Sequence, residues 1–92
     1  MRSRYLVCYD IADEGRLTRL HRYLKSIGVP VQYSVFLCSL TWPELQEGLS
    51  RIRDLIDATA DDVRVYPLPA DEPITSLGSG DRTPEGTVVV LP

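Results

Sequence analysis

The apolar positions near the start of the chain do not alternate. Tyr5-Leu6-Val7-Cys8-Tyr9 runs without a charge and stops at Asp10. A strand with one face in water alternates apolar and polar side chains. This run therefore predicts a strand buried on both faces and closed by a carboxylate. The period then changes. Leu17, Leu20, Tyr23, Leu24 and Ile27 recur at i, i+3, i+6, i+7 and i+10, the single stripe of an amphipathic helix over 13–27. Asp13 fits its N-cap and Glu14 its first turn. Gly28 fits the position just past the helix end, with Pro30 beyond it.

Residues 31–40, VQYSVFLCSL, are extended in character and rich in β-branched and aromatic side chains. The run exceeds the usual strand of about 5–6 residues, so a bend or bulge near Tyr33-Ser34 divides it into two short strands. Thr41-Trp42-Pro43-Glu44 is a T-x-x-E capping box with proline in the first turn, and Leu40 can staple onto Leu45. Leu45, Leu49, Ile52 and Ile56 mark the buried face of a second helix over 42–57, in which Gly48 is a penalty of ~1 kcal/mol against alanine. A polar connection over 57–62 leads to a strand from Val63 to Leu68. Residues 69–92 then hold four of the seven prolines and three of the six glycines, with Ile74–Leu77 and Val88–Leu91 as apolar islands. This tail is too short to form a domain of its own.

The element order is β-α-β-β-α-β plus a tail. That is an α+β, ferredoxin-like order: residues 1–68 make an antiparallel sheet with both helices on one face, and 69–92 are a C-terminal tail. The other sheet face is left bare, carrying residues of YLVCY and VFLCSL. An apolar patch of that kind marks an interface. A homodimer with sheets packed face to face about a two-fold axis would cover it.

Composition narrows the class. The 92 residues are 43% hydrophobic and 25% charged, ordinary values for one small globular domain with a modest core. No apolar run approaches the ~20 residues of a membrane span. The short run after Arg2 and Arg4 ends at Asp10 without a cleavage site, unlike a signal peptide, and a cytoplasmic protein is expected. Cys8 and Cys38 form no CxxC pair, and with one histidine they are too few for a structural zinc site. They read as reduced thiols acting as small hydrophobes. The net charge of −3 is uneven: residues 1–30 carry six Lys/Arg against three Asp/Glu, the remainder four against ten. The acidic total opposes indiscriminate polyanion binding but allows a local basic face.

The chemistry-bearing residues each have a structural and a functional reading. Asp10, if near the two-fold axis, meets its own copy. Two carboxylates ~5 Å apart repel by about 3 kcal/mol at an effective dielectric near 20. A shared proton, an arginine or a divalent cation offsets that repulsion. Oxygen ligands with remaining waters suit Mg²⁺ or Mn²⁺, which activates water and neutralises a phosphodiester. Alternatively Asp10 is an ordinary turn aspartate. Arg16, Arg19 and Arg22 either contact phosphates or form a solvated helix face with Lys25. Tyr9 and Phe36 stack on nucleotides or belong to the core. Ser34 is a hydrogen-bond donor, a nucleophile without an evident base, or a bulge serine. His21 reads as a surface residue, and Asp61 and Asp62 as a solvated loop.

In combination, YLVCYDIAD, then R-L-x-R-L-H-R-Y-L-K-x-x-G, then VQYSVF resemble the CRISPR-associated protein 2 family over about residues 4–68. The resemblance implies a ferredoxin-like homodimer in which Asp10 of each protomer faces the axis and binds Mg²⁺ or Mn²⁺. It implies that Tyr9, Arg16, Arg19, Ser34 and Phe36 neighbour that site. It also implies a CRISPR adaptation subunit that bridges dimers of the CRISPR-associated integrase on double-stranded DNA. Metal-dependent endonuclease activity on RNA or double-stranded DNA is the accompanying expectation. A C-terminal strand in such proteins adds to the partner's sheet and contacts the integrase; Ile74–Leu77 is the segment placed for that, with Val88–Leu91 a second. Val29-Pro30 stands where many relatives carry a basic residue, which weakens one phosphate contact. A purely structural adaptor, a VapD-like toxin ribonuclease and a metabolite-binding regulatory module are the other readings.

Overall fold

The computed structural model describes residues 1–69, 74–77 and 88–91. Its elements are β1 (Ser3–Asp10), α1 (Glu14–Ile27), β2 (Gly28–Gln32), β3 (Val35–Leu40), α2 (Trp42–Leu55), β4 (Asp62–Leu68), β5 (Ile74–Leu77) and β6 (Val88–Leu91). The first four strands form one antiparallel sheet in the order β2-β3-β1-β4, the ferredoxin-like arrangement. The strands β5 and β6 pair in parallel with each other, Ile74 opposite Val88. The remaining tail positions, 70–73, 78–87 and 92, lie outside the described residues.

Strand β1 is central, bonded to β3 on one side and β4 on the other. Val7 and Tyr9 pack on Leu20 and Leu24 of α1, Leu45 and Ile52 of α2, and Phe36, Cys38 and Leu40 of β3. Both helices therefore cover one face. Side chains alternate across a sheet, so Leu6 and Cys8 point to the other face. Register puts Leu6 between Leu37 and Tyr66, and Cys8 between Val35 and Arg64. This explains why YLVCY fails to alternate: both parities are apolar because both faces carry packing surface.

The helix ends follow the capping chemistry. Asp13 accepts from Arg16 N–H to start α1, and Thr41 and Glu44 make the reciprocal capping box of α2. The second helix stops at Leu55, two residues short of the expected end, with Ile56 as its cap.

Gly28 follows the end of α1 as expected, but the strand expected to start at Val31 already begins at Gly28. Gly28 is extended, with φ −158° and ψ −171°, and its N–H donates to Leu24 O. It caps α1 and begins β2 at once, opposite Cys38. A Cβ here would lie 2.6 Å from Cys38 Sγ and 2.6 Å from Leu37 O. Close backbone approach, rather than a positive φ, requires glycine. Pro30 is accommodated because β2 is an edge strand, with a register shift between Pro30 and Gln32. The left-handed residue is instead Ser34, at φ 65°, in the Tyr33-Ser34 turn joining β2 to β3.

Two glycine replacements separate these causes. Gly28→Ala should lower unfolding free energy by about 1–3 kcal/mol through the clash with Cys38 and Leu37. Gly48→Ala meets only ordinary contact, Tyr23 Oη at 3.6 Å, and should raise it by up to ~1 kcal/mol. Urea titrations of both variants check the opposite signs.

Candidate active site

The carboxyl end of β1 delivers Asp10 to an exposed position directly opposite Asp62 of β4. Two acids paired across a ladder repel. Arg64 on the same strand eases this, its Nε donating to Asp62 Oδ2 at 3.0 Å. Asp10, Asp62 and Arg64 line an open cleft with Cys8, Tyr9, Tyr33, Ser34 and Val35, about 200 Å³ in volume. The left-handed turn at Ser34 brings that residue over the end of β1, where its carbonyl accepts from Tyr9 N–H at 3.1 Å. Four of the residues singled out by sequence thus divide in a definite way. Asp10, Tyr9 and Ser34 share the cleft. Phe36 does not line it: the ring is buried on the helix side of the sheet, 6.2 Å from the Tyr9 ring, and offers no open face there.

Arg16 has a different position from the one a phosphate contact requires. Its Nε donates to Asp61 Oδ2 at 2.8 Å and its Nη2 to Asp61 Oδ1 at 3.1 Å. Asp61 also accepts from the backbone N–H of Ala12 and of Asp57, each at 2.9 Å. Its side chain is wholly inaccessible. The expectation of Asp61 as a solvated loop residue is corrected here: it is a buried, four-fold hydrogen-bonded carboxylate. The arginine fork holds its acid form well below the usual carboxylate range, with the Asp57 and Ala12 amides acting the same way. Hydropathy reading missed it because a buried acid has no periodic signature. The local hint was Asp57-Ala58-Thr59, where Asp57 Oδ1 accepts from Thr59 N–H and marks a turn that folds Asp61 inward. Asp62, by contrast, is exposed as expected. Arg19 and Arg22 are exposed on α1 and make no ion pair with another described residue.

Thiol chemistry has no support. Both cysteines are unpaired, and burial pushes the Cys38 thiol up to about 11 and raises that of Cys8. Both stay protonated at neutral pH. Burial, and then the neighbouring Tyr33, raise the phenol of Tyr9, which stays neutral too.

Among the described residues, no group of three or more His, Cys, Asp or Glu side chains converges as a metal cage. Asp10 nonetheless offers an open carboxylate with Asp62 across the ladder. Mg²⁺ keeps several waters and needs only one or two carboxylates, so this donor set suits it better than zinc.

Fold and cleft together define a ferredoxin-like domain with an acidic site at the end of its first strand. Residues 1–72 match the sequence family described as CRISPR associated protein Cas2. The chain belongs to that family. It is 54% identical over 89 residues to CRISPR-associated endoribonuclease Cas2 2 of Thermodesulfovibrio yellowstonii, covering 97% of this chain and 98% of that protein. It is 39% identical to CRISPR-associated endonuclease Cas2 2 of Thermus thermophilus, covering 80% and 82%. Among solved structures, a hypothetical protein from Thermus thermophilus superposes with a TM-score of 0.83 at 38% identity, covering 89% of this chain and 98% of that one. Streptococcus pyogenes Cas2 superposes with a TM-score of 0.69 at 33% identity, covering 74% and 88%.

The depressed acid of Asp61 sets a pH dependence. Its contribution to stability is complete above the unfolded carboxylate range near pH 4 and is lost as pH falls below it. Asp61→Asn should therefore be less stable than the parent at pH 7. The gap should narrow on acidification toward pH 2, as read from urea midpoints at each pH.

Proposed function

We propose that the protein is a CRISPR adaptation subunit that works as a two-fold homodimer and cleaves phosphodiester bonds in nucleic acid at the Asp10 cleft, using Mg²⁺ or Mn²⁺. The observation that carries this reading is the exposed Asp10 carboxylate at the mouth of a cleft shared with Tyr9, Ser34, Asp62 and Arg64. The endoribonuclease and endonuclease names of its relatives support the reaction class. The dimer is supported by the second sheet face, where register groups Leu6, Cys8, Val35, Leu37, Tyr66 and Leu68. A partner sheet laid on that face removes apolar surface from water and brings the two β1 ends toward one seam.

In the dimer Asp10 would hold the cation, with Asp62 close enough in the ladder to share in its hydration shell. The bound ion supplies charge neutralisation at the phosphate and lowers the pKa of its water. The chain's own residues do the rest. The Ser34 hydroxyl donates a hydrogen bond to a phosphate oxygen, and Arg64 at the cleft edge adds positive charge. Arg19 and Arg22 extend a basic helix face along which a strand of either RNA or double-stranded DNA lies by its phosphates.

A second reading is a non-catalytic adaptor that bridges integrase dimers on duplex DNA through its tail, β5 and β6 being the docking strands. The commitment of Arg16 to Asp61 favours it, because a charge expected near the scissile phosphate is used structurally.

One variant separates the two. Asp10→Asn, or chelation of divalent ions, should reduce cleavage of RNA and duplex substrates by at least about a hundredfold. Cleavage that survives both would remove the Asp10 cleft from the reaction. Integration of new spacers by the same Asp10→Asn protein at the parental rate would assign the cellular role to the adaptor.

A further inference from the structure

A second cavity lies beside the Asp10 cleft and has no part in the reading above. It opens between α1 and the β2–β3 turn, on the helix side of the sheet, with a volume of about 290 Å³. Tyr9, Tyr33 and Ser34 line both this cavity and the Asp10 cleft, so the two are separated by a shared wall. The floor is aromatic. Phe36 is buried there, met edge-on by the His21 ring at 5.3 Å. At the rim Tyr33 is 89% exposed, a large ring with a free face. Thr18, Gln32 and Ser34 place hydroxyl and amide groups around the same space. The polar groups are available: neither the Gln32 amide nor the Ser34 hydroxyl bonds another described side chain or backbone group. Arg22 and Lys25 follow Thr18 and His21 by four residues, which sets two exposed cations along the same side of α1.

We infer that this cavity takes one unpaired nucleobase of a nucleotide whose phosphate lies in the Asp10 cleft. The inference rests on the nuclease reading for the phosphate and adds the base. Three physical features single out this occupant. The cavity is at the small end of ligand pockets, so it holds a ring system and not a chain. An exposed aromatic face with an aromatic floor suits a flat π-system, and base–aromatic stacking stabilises by about 1–3 kcal/mol per base. Amide and hydroxyl groups at the wall match the donor and acceptor edge that only an unpaired base presents. A paired base has that edge occupied, so the cavity favours single-stranded or splayed substrate over intact duplex. Pairing of two sheets through the opposite face leaves this side of the sheet open, so the dimer does not close it.

The test is an NMR titration of the full chain, without divalent metal, using uridine and adenosine 5′-monophosphates, with ribose 5-phosphate as the base-free control. Shifts should centre on Thr18, His21 and Gln32–Ser34, and ribose 5-phosphate should not reproduce them. Tyr33→Ala should weaken the nucleotides by about tenfold or more. Asp10→Asn should leave the base-dependent shifts in place, which keeps this result independent of cleavage. Nucleotide binding at these residues in a protein that cleaves nothing would retain the pocket and remove the nuclease reading. Shifts that map elsewhere, or equal affinity for ribose 5-phosphate, would overturn the inference even in an active nuclease.

Discussion

The Asp61 carboxylate is the point on which the geometry of the site depends. It joins the loop after β1 through Ala12, the first turn of α1 through Arg16, and the start of the connection after α2 through Asp57. All its bonds are charge-assisted, and its side chain is out of water. A buried carboxylate needs such partners, because removing any of them leaves an uncompensated charge. The clamp sits one residue before Asp62, the residue opposite Asp10. It therefore sets where β4 begins, and with it the position of the acids at the cleft. Two further ion pairs among the described residues, Arg2 with Glu44 and Arg64 with Asp62, are exposed and contribute little.

From that anchor the sheet presents two unequal faces. One is closed by α1 and α2 over Val7, Tyr9, Phe36 and Cys38. The other carries apolar side chains of the same central strands without a helix. The chain thus closes its short core under the helices, on one side of the sheet. Two openings meet where β1 ends: the Asp10 cleft, and the cavity toward α1, with Tyr9, Tyr33 and Ser34 lining both. Ser34 owes its place to a left-handed turn that a non-glycine residue rarely adopts, a local strain located at the site.

Much of this could be read from the chain because it is written in periodic or local signals. The non-alternating YLVCY run gave the central strand, the heptad-like leucines gave α1, and Thr41-x-x-Glu44 gave the start of α2 to the residue. The division of VQYSVFLCSL at Tyr33-Ser34 followed from its length. What escaped was long-range. Gly28 looks like a helix terminator in isolation; its requirement comes from Cys38 and Leu37, ten and nine positions away. Arg16 looks like part of a basic stripe with Arg19 and Arg22, and only tertiary contact with Asp61 removes it. Residue type and position singled out Asp10, and only the family resemblance grouped Tyr9 and Ser34 with it; the structure places all three along one cleft with Tyr33, Asp62 and Arg64.

The central claim is that matching acids from two copies of this chain hold one divalent cation at the seam between their sheets. Its most direct test is Mn²⁺ binding by isothermal titration calorimetry, with the molar mass measured on the same sample. The account predicts about one ion per two chains, a mass of two subunits, and loss of binding in Asp10→Asn. One ion per chain on a single subunit, or undiminished binding in that variant, would contradict it.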